Sequence, residues 1–250
     1  MGRRKEIDVG FLDMFGGGTP AEKAQKLKAK VTQKYGDPLV RQKAIQQVAQ
    51  LRVPEAVTVL MSRFTFTVEP QTTDSDEKEQ TFQHICDLGK GAVAPVTEFL
   101  RKSEHASSWA LRVLASTLAE GEVIGTVTDE LSRLGSAYTR DPEKKVVLLG
   151  FLSGKSDERI AKVALPFLED HSDDVKIAAL KLLGPLQHEP AREPMLRLLT
   201  GEETARRVQT NAMEALFESQ FGVQGFREKV EALAKDPYFV DKGGLIKKRG

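Results

Sequence analysis

Six segments of the chain share one helical signature at near-constant spacing, and this recurrence narrows the fold more than any other feature. With Ala44, Thr81, Ala110, Leu148, Ala179 and Ala212 aligned as position zero, the intervals are 37, 29, 38, 31 and 33 residues. Position plus four is Val48, Ile85, Leu114, Leu152, Leu183 and Leu216, always large and apolar. Position minus seven is Asp37, Asp74, Ser103, Asp141, Ser172 and Ala205, so five of the six offer a helix N-cap. A cap, a helix, a short connection and a second helix, repeated at this interval, is the pattern of an α-solenoid. There each pair has apolar residues on more than one face and must be covered by its neighbours. The expected fold class is all-α, an α–α superhelix of about six helix pairs, with no strand-like alternation anywhere.

Three segments follow. Residues 1–19 end in Gly16-Gly17-Gly18-Thr19 and are expected to be flexible. Residues 20–235 form the solenoid. Residues 236–250 carry Gly243-Gly244 and Lys247-Lys248-Arg249 and read as a solvated basic tail. Within the solenoid a first helix is expected over about 20–35, capped by Thr19 and opened by Pro20. Asp37-Pro38 and Pro54 open the next two helices, and a polar loop spans 65–75. Position minus three reads Arg41, Lys78, Ser107, Lys145, Lys176 and Gln209, four of them basic. It lies at the rim of the buried stripe, so the cations either form an inter-repeat ladder with acidic groups or touch a ligand.

The run Asp37-Pro38-Leu39-Val40-Arg41-x-x-Ala44 resembles the HEAT repeat, particularly the short form named after phycobilisome lyases. Asp173-Asp174-Val175-Lys176-x-x-Ala179 and Arg207-Val208-x-x-x-Ala212 repeat parts of it, and the resemblance covers about 37–235. Thr81, and Leu148 with Lys144, depart from the pattern. The resemblance implies a HEAT-like or armadillo-type solenoid that binds a protein partner through a concave surface lined by the signature helices.

Positions minus two and plus two then face the partner: Gln42/Gln46, Glu79/Gln83, Ser108/Arg112, Val146/Gly150, Ile177/Lys181 and Thr210/Glu214. Gln42, Gln46, Gln83, Arg112, Val146, Gly150, Ile177 and Lys181 are the candidate contacts. Val146, Gly150 and Ile177 make an apolar strip suited to an amphipathic helix or extended peptide, unless tight curvature buries it. A second candidate is Phe11, Leu12, Met14 and Phe15, four large apolar residues whose burial is worth roughly 1.5–3 kcal/mol each. They can cap the solenoid, dock on another protein, or anchor weakly on a membrane surface with Arg3, Arg4 and Lys5.

Composition limits the alternatives. Lys and Arg total 37 against 36 for Asp and Glu, a formal charge of +1, which argues against a dedicated nucleic-acid binder. The competing reading is a HEAT-like nucleic-acid-binding protein of the alkylpurine DNA glycosylase type, which needs a basic concave face and stacking aromatics. The chain offers one Trp and three Tyr. With four His and one His-Glu pair, His188-Glu189, the chain lacks the ligands of the deoxyhypusine hydroxylases, so no metal is expected. No cofactor loop or nucleophile motif is present, and the expected role is non-enzymatic. A single Cys86 excludes an internal disulfide, and no run approaches the roughly 18 apolar residues of a membrane span. A cytoplasmic protein is expected.

Overall fold

The computed structural model describes residues 18–249. Phe11, Leu12, Met14 and Phe15 lie outside the described residues. Among those described, thirteen α-helices and one two-stranded hairpin make up the regular structure, so the fold is all-α. No described helix is long and apolar enough to cross a membrane. The chain divides into two compact units, the first ending at Leu118 and the second starting at Ala119.

The first unit holds α1 (Pro20–Val31), α2 (Pro38–Gln50), α3 (Pro54–Met61), α4 (Gln71–Cys86), α5 (Val93–Lys102) and α6 (Ser107–Thr117). Helices α2, α4 and α6 pack in one row and α1, α3 and α5 in another, with α1–α2, α2–α3 and α5–α6 contacts joining the rows. Thr19 starts α1 with a capping box: its hydroxyl accepts from the Glu22 N–H, and the Glu22 carboxylate accepts from the Thr19 N–H. Proline opens α1, α2 and α3, where its missing N–H costs nothing.

The second unit holds α7 (Glu120–Leu134), α8 (Glu143–Leu152), α9 (Glu158–Ala164), α10 (Asp173–Leu183), α11 (Arg192–Thr200), α12 (Arg206–Ser219) and α13 (Arg227–Leu233). Strands β1 (Tyr238–Val240) and β2 (Ile246–Lys248) follow. Helices α8, α10 and α12 form one row, and α7, α9, α11 and α13 the other, linked partly through the 3-10 turn Leu165–Glu169. At the end of α10, a Cβ on Gly184 would meet Ala215 Cα at 3.1 Å, so α12 approaches closely there.

The signature organises both cores. All twelve residues at positions zero and plus four are at most 1% exposed, including Thr81 and Leu148, which depart from the repeat pattern. Thr81 tolerates burial because its hydroxyl donates to the Glu77 carbonyl at 2.6 Å.

Two expected helix starts are corrected. Helix α4 starts at Gln71, inside the span expected to be loop, so Asp74 is not an N-cap but a first-turn residue carrying buried ion pairs. Ser103 does not cap α6: its hydroxyl closes a turn on His105, and the helix starts after Ala106, whose φ is +62°. Asp37 and Asp141 do bond the first-turn N–H groups of Leu39 and Glu143.

The largest correction is the C-terminal tail, which is a packed hairpin rather than a solvated extension. Tyr238, Phe239 and Val240 pair antiparallel with Lys248, Lys247 and Ile246. Ile246 is fully buried, as are Val223 and Val230 beneath this end of the unit. The Asp241 side chain accepts from the Leu245 N–H at 2.9 Å and ties the turn. Gly244, at φ +80°, supplies the conformation that turn needs. Lys248 lies over the rings of Phe217 and Tyr238, fastening β2 to α12.

Candidate functional site

Three of the four basic residues at position minus three, Arg41, Lys78 and Lys145, are buried in ion pairs. Arg41 is buried and forks onto Glu77 of α4, with Nε–Oε2 at 2.7 Å and Nη2–Oε1 at 2.8 Å. Lys145 is buried against Asp170 at 2.7 Å. Lys78 pairs with Asp74 at 2.7 Å, and Lys176 approaches Asp173 at 3.9 Å, both within their own helices. A second bond recurs: Arg41, Lys145 and Gln209 donate to the carbonyls of Gln33, Ala137 and Gly201, each eight residues upstream. The side chain thereby satisfies the connection that precedes its own helix. Ser107 occupies this position in α6, and its buried hydroxyl bonds no described residue.

In the first unit these pairs extend into a buried network. Arg63 bonds Glu77 at 2.9 Å and Asp74 at 2.7 Å. Three cations (Arg41, Arg63, Lys78) thus share two carboxylates away from water. Burial pushes the Asp74 carboxyl up, but hydrogen bonds from Lys78, Arg63 and the Val68 N–H outweigh it and hold the group below its ordinary value. In the second unit Lys144 and Arg133 both pair with Glu130, which they likewise hold low against burial.

The candidate contacts lie on the same helices, turned away from these pairs. None of the eight is buried: Gln46, Gln83, Arg112, Gly150 and Lys181 are exposed, and Gln42, Val146 and Ile177 are half-buried. In the first unit Arg112 of α6 forks onto Glu79 of α4 at 2.7 and 2.9 Å. Its guanidinium stacks 4.0 Å from the Phe82 ring centroid and 5.0 Å from that of Trp109. Trp109 in turn stacks on Phe64 at 4.6 Å. Hydrogen bonds from Arg112 and then Gln83 hold the Glu79 carboxyl below its usual range. Arg112 is therefore fixed in place with its edge in water. An open, polar cleft of about 650 Å³ elsewhere in this unit is lined by Gln46, Gln50, Arg52, His84 and Asp87.

In the second unit Val146 and Gly150 of α8 and Ile177 and Lys181 of α10 occupy adjacent packed helices. A Cβ built on Gly150 meets nothing within 4 Å, so the notch it leaves is open. The half-burial of Val146 and Ile177 falls between the two expectations: they support the packing and still present apolar surface.

Burial pushes the Cys86 thiol up, so it is not an activated nucleophile. His188 precedes a 3-10 turn at Glu189–Ala191, and among the described residues no set of three His, Cys, Asp or Glu is placed to hold a metal.

Sequence reasoning missed one feature entirely, a cleft of about 550 Å³ between α12 and the chain leading into β1. Its last wall belongs to the hairpin, so treating 236–250 as a tail removed it from view. Tyr238-Phe239-Val240 and Leu245-Ile246 flanking Asp241-Lys242-Gly243-Gly244 was the available signal. No family model matches the chain, and no curated protein or solved structure matches it either.

Proposed function

We propose that the chain is a non-enzymatic HEAT-like scaffold, working in the cytoplasm, that binds a protein partner along the signature helices. The observation that carries this reading is register. In five of the six layers the plus-two residue (Gln46, Gln83, Arg112, Gly150, Lys181) is exposed while positions zero and plus four of the same helix are buried. Side chains on packed helices offered at a regular interval suit recognition of an extended or helical segment, because little order remains to be imposed on binding. The basic residues that could have made an electropositive groove are instead consumed by internal carboxylates, which favours a protein over a nucleic acid.

A photo-crosslinking residue placed at Gly150 or Lys181, both in the second unit, should capture one and the same protein from lysate. Placement at Lys162, exposed on the other row of that unit, should not. Equal capture from both rows, or recovery of DNA with a steep salt dependence, would overturn the assignment. Gly150→Ala separates stability from binding. The added Cβ meets open space in a helix, so the variant should be more stable by about 0.5–1 kcal/mol. If the notch receives a partner side chain, affinity for the captured protein should fall despite that gain.

A further inference from the structure

The cleft in the second unit is used neither by the ion-pair ladder nor by the exposed row. Leu199 and Met213 form a buried floor, with half-buried Tyr238 beside them. Leu233 on its wall is 39% exposed, a large aliphatic side chain left in water. Arg206 and Lys235 also line it, and neither pairs with a carboxylate among the described residues. The contrast with Arg207 is direct, since that neighbour is held by Asp173 and Asp174. The one carboxylate on the cleft, Asp236, faces Arg249 at 3.5 Å. An apolar floor with two unpaired cations at its edge suits a peptide that alternates acids with large apolar side chains.

The chain itself carries such a peptide. Glu6-Ile7-Asp8-Val9-Gly10-Phe11-Leu12-Asp13-Met14-Phe15 has three acids, no base and six large apolar residues. We propose that the cleft binds residues 6–15 of a second copy of the chain. Peptide and cleft are different surfaces, so the contact is heterologous: each copy keeps one unused half, and assembly proceeds head to tail. The exposed row takes no part, so failure here leaves the scaffold reading untouched.

Complementation between two full-length variants tests it. Arg206→Ala with Lys235→Ala disables the cleft, and Asp8→Lys with Asp13→Lys disables the peptide. By sedimentation velocity over a concentration series, the unaltered chain should grow past a dimer, and less so at high salt. Each variant alone should stay monomeric. An equimolar mixture should assemble and stop at two copies, because one productive contact uses the only intact cleft and peptide. A monomeric unaltered chain, variants that assemble normally, or a mixture that stays monomeric would each overturn the proposal. A photo-crosslinker at Phe11, in a mixture of isotopically heavy and light chains, provides a readout independent of association strength. Heavy–light links to Met213 or Tyr238 support the contact, and links confined to one copy or to other surfaces refute it.

Discussion

Glu77→Ala should destabilise the first unit by about 3–5 kcal/mol, the range expected when one partner is removed from a buried ion pair. Glu77 accepts from both Arg41 and Arg63, and all three side chains are at most 2% exposed. Without it, three buried cations would share the single carboxylate of Asp74. Trp109, the only tryptophan, stacks on Phe64 inside this unit, so its fluorescence during urea unfolding gives the measurement. Glu79→Ala is the control: that residue sits two positions away on the same helix, its pair with Arg112 is exposed, and the midpoint should hardly move. Acid should act on the same network. The Asp74 carboxyl is held below its ordinary value in the folded state, so its contribution is present above the unfolded value and is lost as pH falls through the lowered one. A midpoint for Glu77→Ala equal to that of the unaltered chain would remove the network from the account of stability.

Ile246→Ala should cost the second unit about 2–5 kcal/mol, although the residue lies four positions from the end of the sequence. A solvated tail would make the substitution silent. Ile246 is instead completely buried and belongs to the same cover as Val223 and Val230. Thermal unfolding followed by far-ultraviolet circular dichroism distinguishes the two outcomes, and an unchanged Tm would mean that the hairpin contributes nothing to the fold. Lys248→Ala should cost less, because its ammonium touches the Phe217 and Tyr238 rings and Glu214 while remaining partly in water.

The helix pairs were legible because period and burial are the same fact seen twice. A residue that must lie under a neighbouring helix recurs at the anchor, and a large apolar one recurs four positions later. Thr81 broke the residue pattern without breaking the burial, since a hydroxyl can return its hydrogen bond to the preceding turn. Caps were less legible. Asp74 and Ser103 stand at the right offset, but a charged or hydroxyl side chain near a helix start can equally serve a buried cation or a tight turn, and the sequence does not distinguish these partners. The rim position of the basic residues was visible; their acids were not, because Glu77 and Asp170 come from connections and helices 36 and 25 residues further on. The exposure of Gln83, Arg112 and Gly150 followed from helical geometry, whereas the clamp of Arg112 on Glu79, Phe82 and Trp109 needed coordinates. The hairpin was overlooked because its strands are three residues each, too short for alternation to register against thirteen helices.

The hairpin also decides what else the surface of α12 can accept. Helix α12 packs on β2, whose Ile246 is fully buried, while α13 packs on α11 and β1. A further helix laid on α12 in place of β2 would displace that closure and leave Ile246 and Val223 in water.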